Sequence, residues 1–523
     1  MFQNENTFSK MKGDGREEEF HRRYEEGIRS ARQEFGKTYP MVIGGKEVKS
    51  NDGVFEDTSP SDTKLVLGYF QKGSREDAKH AIESALEAFE SWSKVNYAER
   101  VGLFRKTADL MSAKKFELAA EMSFENGKNR FEAIADVDEA IDFLRFYSQQ
   151  LEDNKGFERQ MGSLLPGERA KSVLRPYGVW SVIAPFNFPL AIATGMTSGA
   201  LITGNTVVLK PASDTPLMSY ELFKIFERAG LPLGVLNYVT GPGSTAGVEL
   251  VENKDISGVV FTGSWDVGSR SIVDFEEKSP RPFIAEMGGK NATIVTAKAD
   301  LSKATEGIVR GAFGFGGQKC SACSRVYVDD SIKDQFVQKL SEKVSQLKVG
   351  DPTERDTFLG PLINEKAYKN YQGYVEEARS RGKVLVGGGV VNDGSYSNGY
   401  YVKPTLVVDL PENDRLVKTE LFVPILVIET FKNLEDAIEK MNDVDYGLTG
   451  GIFSEDKNEV DQFFSKAQAG VLYANRTAGS TTGAVVGVQP FVGWKHSGSS
   501  GKGAGGPYYL QQFLREQSQT HYD

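Results

Sequence analysis

Residues 179–210 read VWSVIAPFNFPLAIATGMTSGALITGNTVVLK. The stretch opens on an apolar run, VWSVI, and breaks at Pro185 and Pro189. It continues as a small-residue apolar segment, PLAIATGMTSGALITG, and closes on a second β-branched run, TVVLK. Val, Ile and Thr suit a pleated, buried strand, and the segment between the two runs is of helical length. The reading is strand, helix, strand. PLMSYELFKIFERAG then reads as another helix, and LNYVTGPG, AGVELVEN and GVVFTGS continue the alternation. Strands alternating with helices of this length indicate βαβ units and a parallel sheet. Such sheets bind ligands at the carboxyl ends of their strands. TGPGSTAG (240–247) and FTGSWDVG (261–268) fall at edges of that kind. Neither is a GxGxxG, and ordinary βα turns give the same spacing.

Upstream, 17–35 is charged and patterned like a solvent-facing helix, and YPMVIGGKEV reads as strand, turn, strand. Between 74 and 154 apolar residues recur at three and four spacings, in AIESALEAFESW, ERVGLFRKTADLMSA, KFELAAEMSFENGKN and ADVDEAIDFLRFYSQQLED. A polar, glycine-containing stretch, 153–171, interrupts the helices. A second alternating region runs from about 289 to 475, long enough for its own α/β domain. The tail from Thr477 is rich in Gly, Ser and Thr and ends in GPYYLQQFLREQS, which reads as a docking strand.

The chain has 523 residues, more than the roughly 250–300 that one core organises, so two or three domains are expected. With 39% hydrophobic residues it has ample material for packed cores. A net charge of −10 repels phosphate backbones, which argues against nucleic acid as a partner. No apolar run reaches the ~20 residues that span a bilayer; the best, 179–202, is broken by Pro185, Asn187 and Pro189. The N-terminus lacks the apolar core of a signal peptide, and the only cysteines are Cys320 and Cys323. A soluble, cytoplasmic protein is expected, with no membrane partner.

GQKCSACSR (317–325) is the most reactive stretch on paper. A structural zinc needs two more ligands than Cys320 and Cys323, and His21, His80, His496 and His521 show no paired ligand spacing. No metal is expected. A thioredoxin-like redox pair fits the spacing, as do two buried cysteines acting as small hydrophobes. The remaining reading is one nucleophilic thiolate in a loop whose glycines let the backbone approach a substrate. A nucleophile of that kind needs a base, and with histidine scarce a carboxylate is the natural second choice. FIAEMGGKN places Glu286 at the end of a short apolar run before Gly288 and Gly289.

APFNFP, TVVLKPAS, FTGS, EMGGKN, GQKCSACSR, ELFVP and PFVGWKHSG occur in one order. In that order and spacing they resemble the NAD(P)-dependent aldehyde dehydrogenase superfamily, over about 39–517. The resemblance implies an α/β fold in three parts. A Rossmann-type cofactor domain would span 1–152 and 177–288, and an α/β catalytic domain 289–488. A small β oligomerisation arm with a C-terminal segment would span 153–176 and 489–523. A protruding strand with unpaired edges invites another subunit, so a homodimer or higher homo-oligomer is expected.

By the same resemblance, Cys320 is the nucleophile that forms a thiohemiacetal and then a thioester, and Asn187 helps cradle the oxyanion. Glu286 activates the water that hydrolyses the thioester. Lys210 would hold the adenine ribose, Ser264 the pyrophosphate and Glu420 the nicotinamide ribose, with Phe422 beside it in the cofactor site. NAD-strict relatives often carry Glu three residues after the ribose lysine; here Ser213 stands there, and a hydroxyl does not repel a 2′-phosphate as a carboxylate would. NAD or NADP is therefore expected as cofactor.

The cysteine loop, EAIADVDEAIDFLRFY and TGAVVGVQPFVGW are similar to those of 1-pyrroline-5-carboxylate dehydrogenases, which oxidise glutamate semialdehyde to glutamate in proline degradation. That similarity implies that Ser321, Gly483 and Ala484 bind the substrate carboxylate, by hydrogen-bond donors without full charge. Phe186 and Phe491 would sandwich its aliphatic part. A broad-specificity or hydroxyaldehyde dehydrogenase would use the same core. A coenzyme A-acylating enzyme would not need Glu286, and a silent binding protein would not need Cys320, Asn187 and Lys210 together.

Overall fold

The structure, a computed structural model, describes residues 2–277, 280–477 and 485–523. Two seven-stranded sheets dominate it. In the first, five parallel strands lie in the order Phe283–Glu286, Ile256–Thr262, Val179–Ile183, Thr206–Lys210, Leu236–Tyr238. The antiparallel pair Met41–Ile43 and Lys46–Val48 closes one edge. The parallel sheet expected from 179–210 is therefore present. Val179–Ile183 and Ile256–Thr262 are neighbours in space but far apart in sequence. The chain order reverses between them, and a crevice for ligands opens at such a switch point. APFNFP leaves one of these strands and FTGS the other, so both motifs reach the same crevice.

The second sheet runs Lys383–Val386, Thr405–Val408, Ile425–Phe431, Cys323–Asp329, Asn291–Val295, Thr449–Phe453, Val471–Ala474, parallel except at its first strand. The chain passes from Phe283–Glu286 in the first sheet straight to Asn291–Val295 in the second, through Met287, Gly288, Gly289 and Lys290. The carboxyl end of one sheet thus faces the amino end of the other, and Glu286 and Cys320 meet at that junction.

The four helices expected upstream are Arg75–Trp92, Tyr97–Ala113, Lys115–Asn126 and Arg130–Asp153. The last three pack with Trp180, Val182 and Leu209 of the first sheet in one continuous core, while Arg75–Trp92 buries Ala78, Ala81, Ile82 and Ala85 in a second core with Val179 and Val208. Helix Glu17–Glu34 departs from the solvent-facing reading: Phe20, Tyr24 and Ala31 are fully buried. Gly27 explains the approach, since a Cβ there would collide with the Phe116 carbonyl on the neighbouring helix. The arm is a three-stranded antiparallel sheet. Leu514–Tyr522 pairs along its length with Glu168–Pro176, and Glu158–Gln160 forms the outer edge. Residues 489–513 do not join that sheet but return across the junction of the two large ones.

Candidate active site

Cys320 sits in a turn held from three sides. The helix Leu301–Phe313 ends in a tight glycine loop in which Phe315, Gly316 and Gly317 all have positive φ. The buried Gln318 donates from its amide nitrogen to Phe315 O at 3.2 Å and accepts Ile363 N at 2.9 Å. Asn291 donates from Nδ2 to Cys320 O at 2.7 Å and to Ala322 O at 2.9 Å, while its Oδ1 accepts Thr449 N at 2.9 Å. The residue as a whole is half-buried. Desolvated surroundings, with Glu420 and Glu286 nearby, push its pKa up.

Two cavities meet at Cys320. The larger, ≈ 570 Å³, is lined by Asn187, Ser264, Glu420 and Phe422 among others, and the narrow one, ≈ 60 Å³, by Glu286, Ser321 and Phe491. Cys320 contributes to both walls. Glu286 ends its strand with Oε2 accepting Gly493 N at 3.1 Å. Burial raises its pKa well above the carboxylate range, against the pull of that amide. Glu420 reaches over the glycine turn and accepts Gly289 N at 2.8 Å. Burial lifts it to about 7, offset by the Gly289 amide and the Lys290 charge.

Of the expected cofactor residues, Lys210 is buried at the end of Thr206–Lys210, its Nζ donating to the adjacent Pro211 O at 3.0 Å. Burial lowers its pKa to about 8. Gly247 approaches from above, where a Cβ would stand 3.6 Å from Lys210 Cε. Ser264 precedes the helix Trp265–Glu276 and makes no side-chain cap bond, leaving its hydroxyl and the helix N-terminus toward the cleft. Ser213 is exposed three residues after Lys210. A hydroxyl at a helix N-terminus and a carboxylate along one cleft, with the buried Lys210 ammonium two residues before Ala212 on its wall, suit a dinucleotide's hydroxyls and phosphates.

Among the expected substrate residues, the buried Ser321 and the half-buried Phe491 both line the narrow cavity. Phe186 is not opposite Phe491. It lines the larger cleft, edge-on to Phe422 at 5.8 Å between ring centroids. The rings that share the narrow cavity with Phe491 are Phe188, Phe143, Phe261 and Tyr509. Around Asn187 the two flanking phenylalanines thus divide between the two cavities. Gly483 and Ala484 lie outside the described residues. Sequence reasoning missed Glu139, which also lines the narrow cavity; burial and the nearby Asp136 raise it to about 8. Its signal was its place in ADVDEAIDF, three residues after the fully buried Asp136. Asp136 pairs with Lys128 and accepts Ala191 N at 2.7 Å, anchoring the helix that follows APFNFP.

Residues 48–518 match the model of the aldehyde dehydrogenase family. The chain belongs to the aldehyde dehydrogenase family. A 1-pyrroline-5-carboxylate dehydrogenase of Geobacillus sp. (strain WCH70) is 39% identical over 505 residues, 95% of either chain. A Thermus 1-pyrroline-5-carboxylate dehydrogenase solved with bound NAD superposes with a TM-score of 0.91 at 36% identity, covering 96% of both chains. Betaine aldehyde dehydrogenase of Staphylococcus aureus in complex with NAD+ gives 0.89 at 28% identity, over 96% of this chain and 97% of that one. The protein is accordingly an NAD(P)-dependent aldehyde-oxidising enzyme of α/β fold. Among the described residues no helix is long and apolar enough to cross a membrane.

Proposed function

We propose that this enzyme oxidises L-glutamate γ-semialdehyde, in equilibrium with 1-pyrroline-5-carboxylate, to L-glutamate in proline degradation. The observation that carries the reading is the narrow cavity at Cys320, where the buried Ser321 hydroxyl and the Glu139 carboxyl join Glu286 and Thr262 in walls that are otherwise apolar, Phe188, Phe143 and Phe491 among them. A hydroxyl suits a carboxylate, and Glu139, which holds its proton to about pH 8 in the empty site, can give it up against an incoming ammonium, so the lining fits an aldehyde carrying an amino-acid end. The named relatives point the same way. We assign Gly483 and Ala484 to the same carboxylate, on sequence resemblance alone.

The chain's own residues divide the work. Cys320 Sγ, its thiol proton passed to solvent water, attacks the aldehyde carbon to give a thiohemiacetal, and the Asn187 amide with the Cys320 backbone N–H donates to the oxygen as it gains charge. The nicotinamide, when bound, supplies the hydride acceptor that makes the reaction an oxidation. The acyl group then rests on Cys320 as a thioester. Glu286, ionised, takes a proton from water as the water oxygen bonds to the acyl carbon and the C–S bond breaks. Lys210, Ser264, Glu420 and Phe422 line or border the larger cleft and hold the dinucleotide. We assign 1–152 and 177–288 to cofactor binding, 289–488 to catalysis, and the arm strands to pairing with a second copy of the chain. A cytoplasmic setting keeps the Cys320 thiol reduced.

Absorbance of the reduced cofactor tests the reading, with 1-pyrroline-5-carboxylate compared against propanal and a hydroxyaldehyde, each with NAD and with NADP. We expect kcat/KM at least tenfold higher for 1-pyrroline-5-carboxylate. Equal rates on the simple aldehydes would retire the substrate and leave the family chemistry intact.

A further inference from the structure

The helix Arg130–Asp153 has two working faces. Glu139 and Phe143 line the narrow cavity, and Tyr147 Oη accepts Gly505 N at 3.2 Å next to Ala504, another cavity residue. Asp138, Asp142 and Phe146 recur at four-residue spacing on a different face. Residues 2–7 are bound along that second face. Thr7 donates from its backbone N to Asp138 Oδ2 at 2.5 Å and from Oγ1 to Oδ1 at 2.7 Å. Glu5 N donates to Asp142 Oδ1 at 3.0 Å, and its carboxylate pairs with Lys115 and Arg145. The Phe2 ring packs edge-on against Phe146 at 5.3 Å.

The segment reaches beyond the helix. Asn4 Nδ2 donates to Asp142 Oδ2 at 2.8 Å and also to Val486 O at 3.0 Å. A Cβ on the next residue, Gly487, would stand 3.0 Å from both the Phe2 and the Phe146 rings. Gly487 itself donates to Gly505 O at 2.9 Å. Ala504 pairs in both directions with Phe491. A chain of direct contacts therefore runs from Asn4 and Phe2 through Val486, Gly487 and Gly505 to Ala504 and Phe491, two walls of the narrow cavity.

We propose that residues 2–7 form a strap that sets the far wall of the substrate cavity, with Asn4 as the positioning residue that ties the Val486–Gly487 turn to the helix bearing Glu139. The proposal rests on the reading of the narrow cavity as the substrate site. A single amide bridges a turn and a helix, so its loss frees the turn without emptying the core. The strap touches neither Cys320 nor the cofactor cleft. It acts on how firmly the distal, polar end of a substrate is held, and not on the reacting carbon.

Asn4→Ala and Phe2→Ala, made in the full chain, test the strap, with Asn4→Gln as the conservative variant. Losing a hydrogen bond of this kind is worth about fivefold. We expect KM for 1-pyrroline-5-carboxylate to rise about fivefold in Asn4→Ala, with kcat within twofold, KM for propanal unchanged, the melting temperature held and Asn4→Gln partly restored. Hydrogen exchange at Gly487, Val488 and Gln489 should quicken in both alanine variants while the arm strands stay as they are. Unchanged exchange at those three amides overturns the strap whatever the substrate proves to be. So does a KM that moves equally for both aldehydes with a falling melting temperature, which marks a purely structural role. If exchange quickens but wild-type enzyme shows no preference for 1-pyrroline-5-carboxylate, the strap stands and the substrate reading falls.

Discussion

Asn291 holds Cys320 by its carbonyl: Nδ2 donates to Cys320 O at 2.7 Å and to Ala322 O at 2.9 Å. Through Oδ1 it is also fixed to Thr449 on the adjoining strand. The backbone of Cys320 is therefore referenced to the second sheet as well as to the glycine turn that precedes it. Asn291→Ala leaves two carbonyls and an amide to find other partners in a buried place, at roughly 1–3 kcal/mol each where they fail. The expected result is a folded enzyme with kcat lowered by about 10²-fold, since a misplacement of about 1 Å costs that much. Thiol labelling of Cys320 should change in rate in step with kcat, and an unchanged kcat would contradict the clamp.

The glycine pair beside the base is a matter of space. A Cβ on Gly289 would overlap the Cys320 carbonyl, and one on Gly288 the Glu420 carboxylate. The first obstacle is backbone, the second the end of a side chain. Gly289→Ala should therefore displace the nucleophile loop and abolish turnover. Gly288→Ala should push Glu420 aside, raising KM for the cofactor severalfold while leaving the burst of reduced cofactor intact. Steady-state kinetics with the cofactor varied distinguishes the two, and equal damage from both would refute this geometry.

Much of this was legible in the sequence because the deciding signals are local. Runs such as VWSVI and TVVLK have no other stable home than a buried parallel strand, and a carboxylate before two glycines marks a crowded turn. What escaped was relational. Phe186 and Phe188 flank Asn187 two residues apart, and only the path of the loop decides which ring faces which cavity. Asn291 reads as the first residue of a strand; that its side chain clamps a loop 29 residues later depends on strand order. Glu17–Glu34 looked solvated because Phe20, Tyr24 and Ala31 are few among many charges, and the small Gly27 that lets it pack carries no hydrophobic signal.

Two carboxylates give separate pH signatures. Glu420 titrates near 7 when folded. Folded protein binds that proton more tightly than unfolded protein does, so this group's contribution to stability falls as pH rises from 4.5 to about 7. In the role we propose for it, its ionised form accepts the ribose hydroxyls, so cofactor KM should fall as pH rises through 7, and Glu420→Gln should flatten that profile. As the base we propose, Glu286 must be ionised to take a proton from water, and burial holds its pKa well above the usual range. kcat should therefore climb with pH along a limb that Glu286→Gln removes. That variant should lose roughly 10²–10⁴-fold in turnover yet still release one equivalent of reduced cofactor in a burst. A variant without burst would assign Glu286 to the first half of the reaction.

We assign cofactor choice to Ser213. It is exposed, three residues beyond the buried Lys210, at the edge where an adenosine ribose would lie. A serine hydroxyl there donates to a 2′-phosphate as readily as to a 2′-hydroxyl, so NADP should support turnover at a kcat/KM within about tenfold of NAD, a window of roughly 1.4 kcal/mol. Ser213→Glu places a carboxylate against a phosphate of like charge. In a partly exposed site at effective dielectric near 20, one such pair at 4 Å is worth up to about 4 kcal/mol before screening. KM for NADP should rise at least tenfold, KM for NAD should hold or fall, and the NADP penalty should shrink as salt is raised. Should wild-type enzyme already reject NADP at concentrations where NAD saturates, some other group must guard the ribose, and Ser213→Glu would then leave the cofactor ratio where it was.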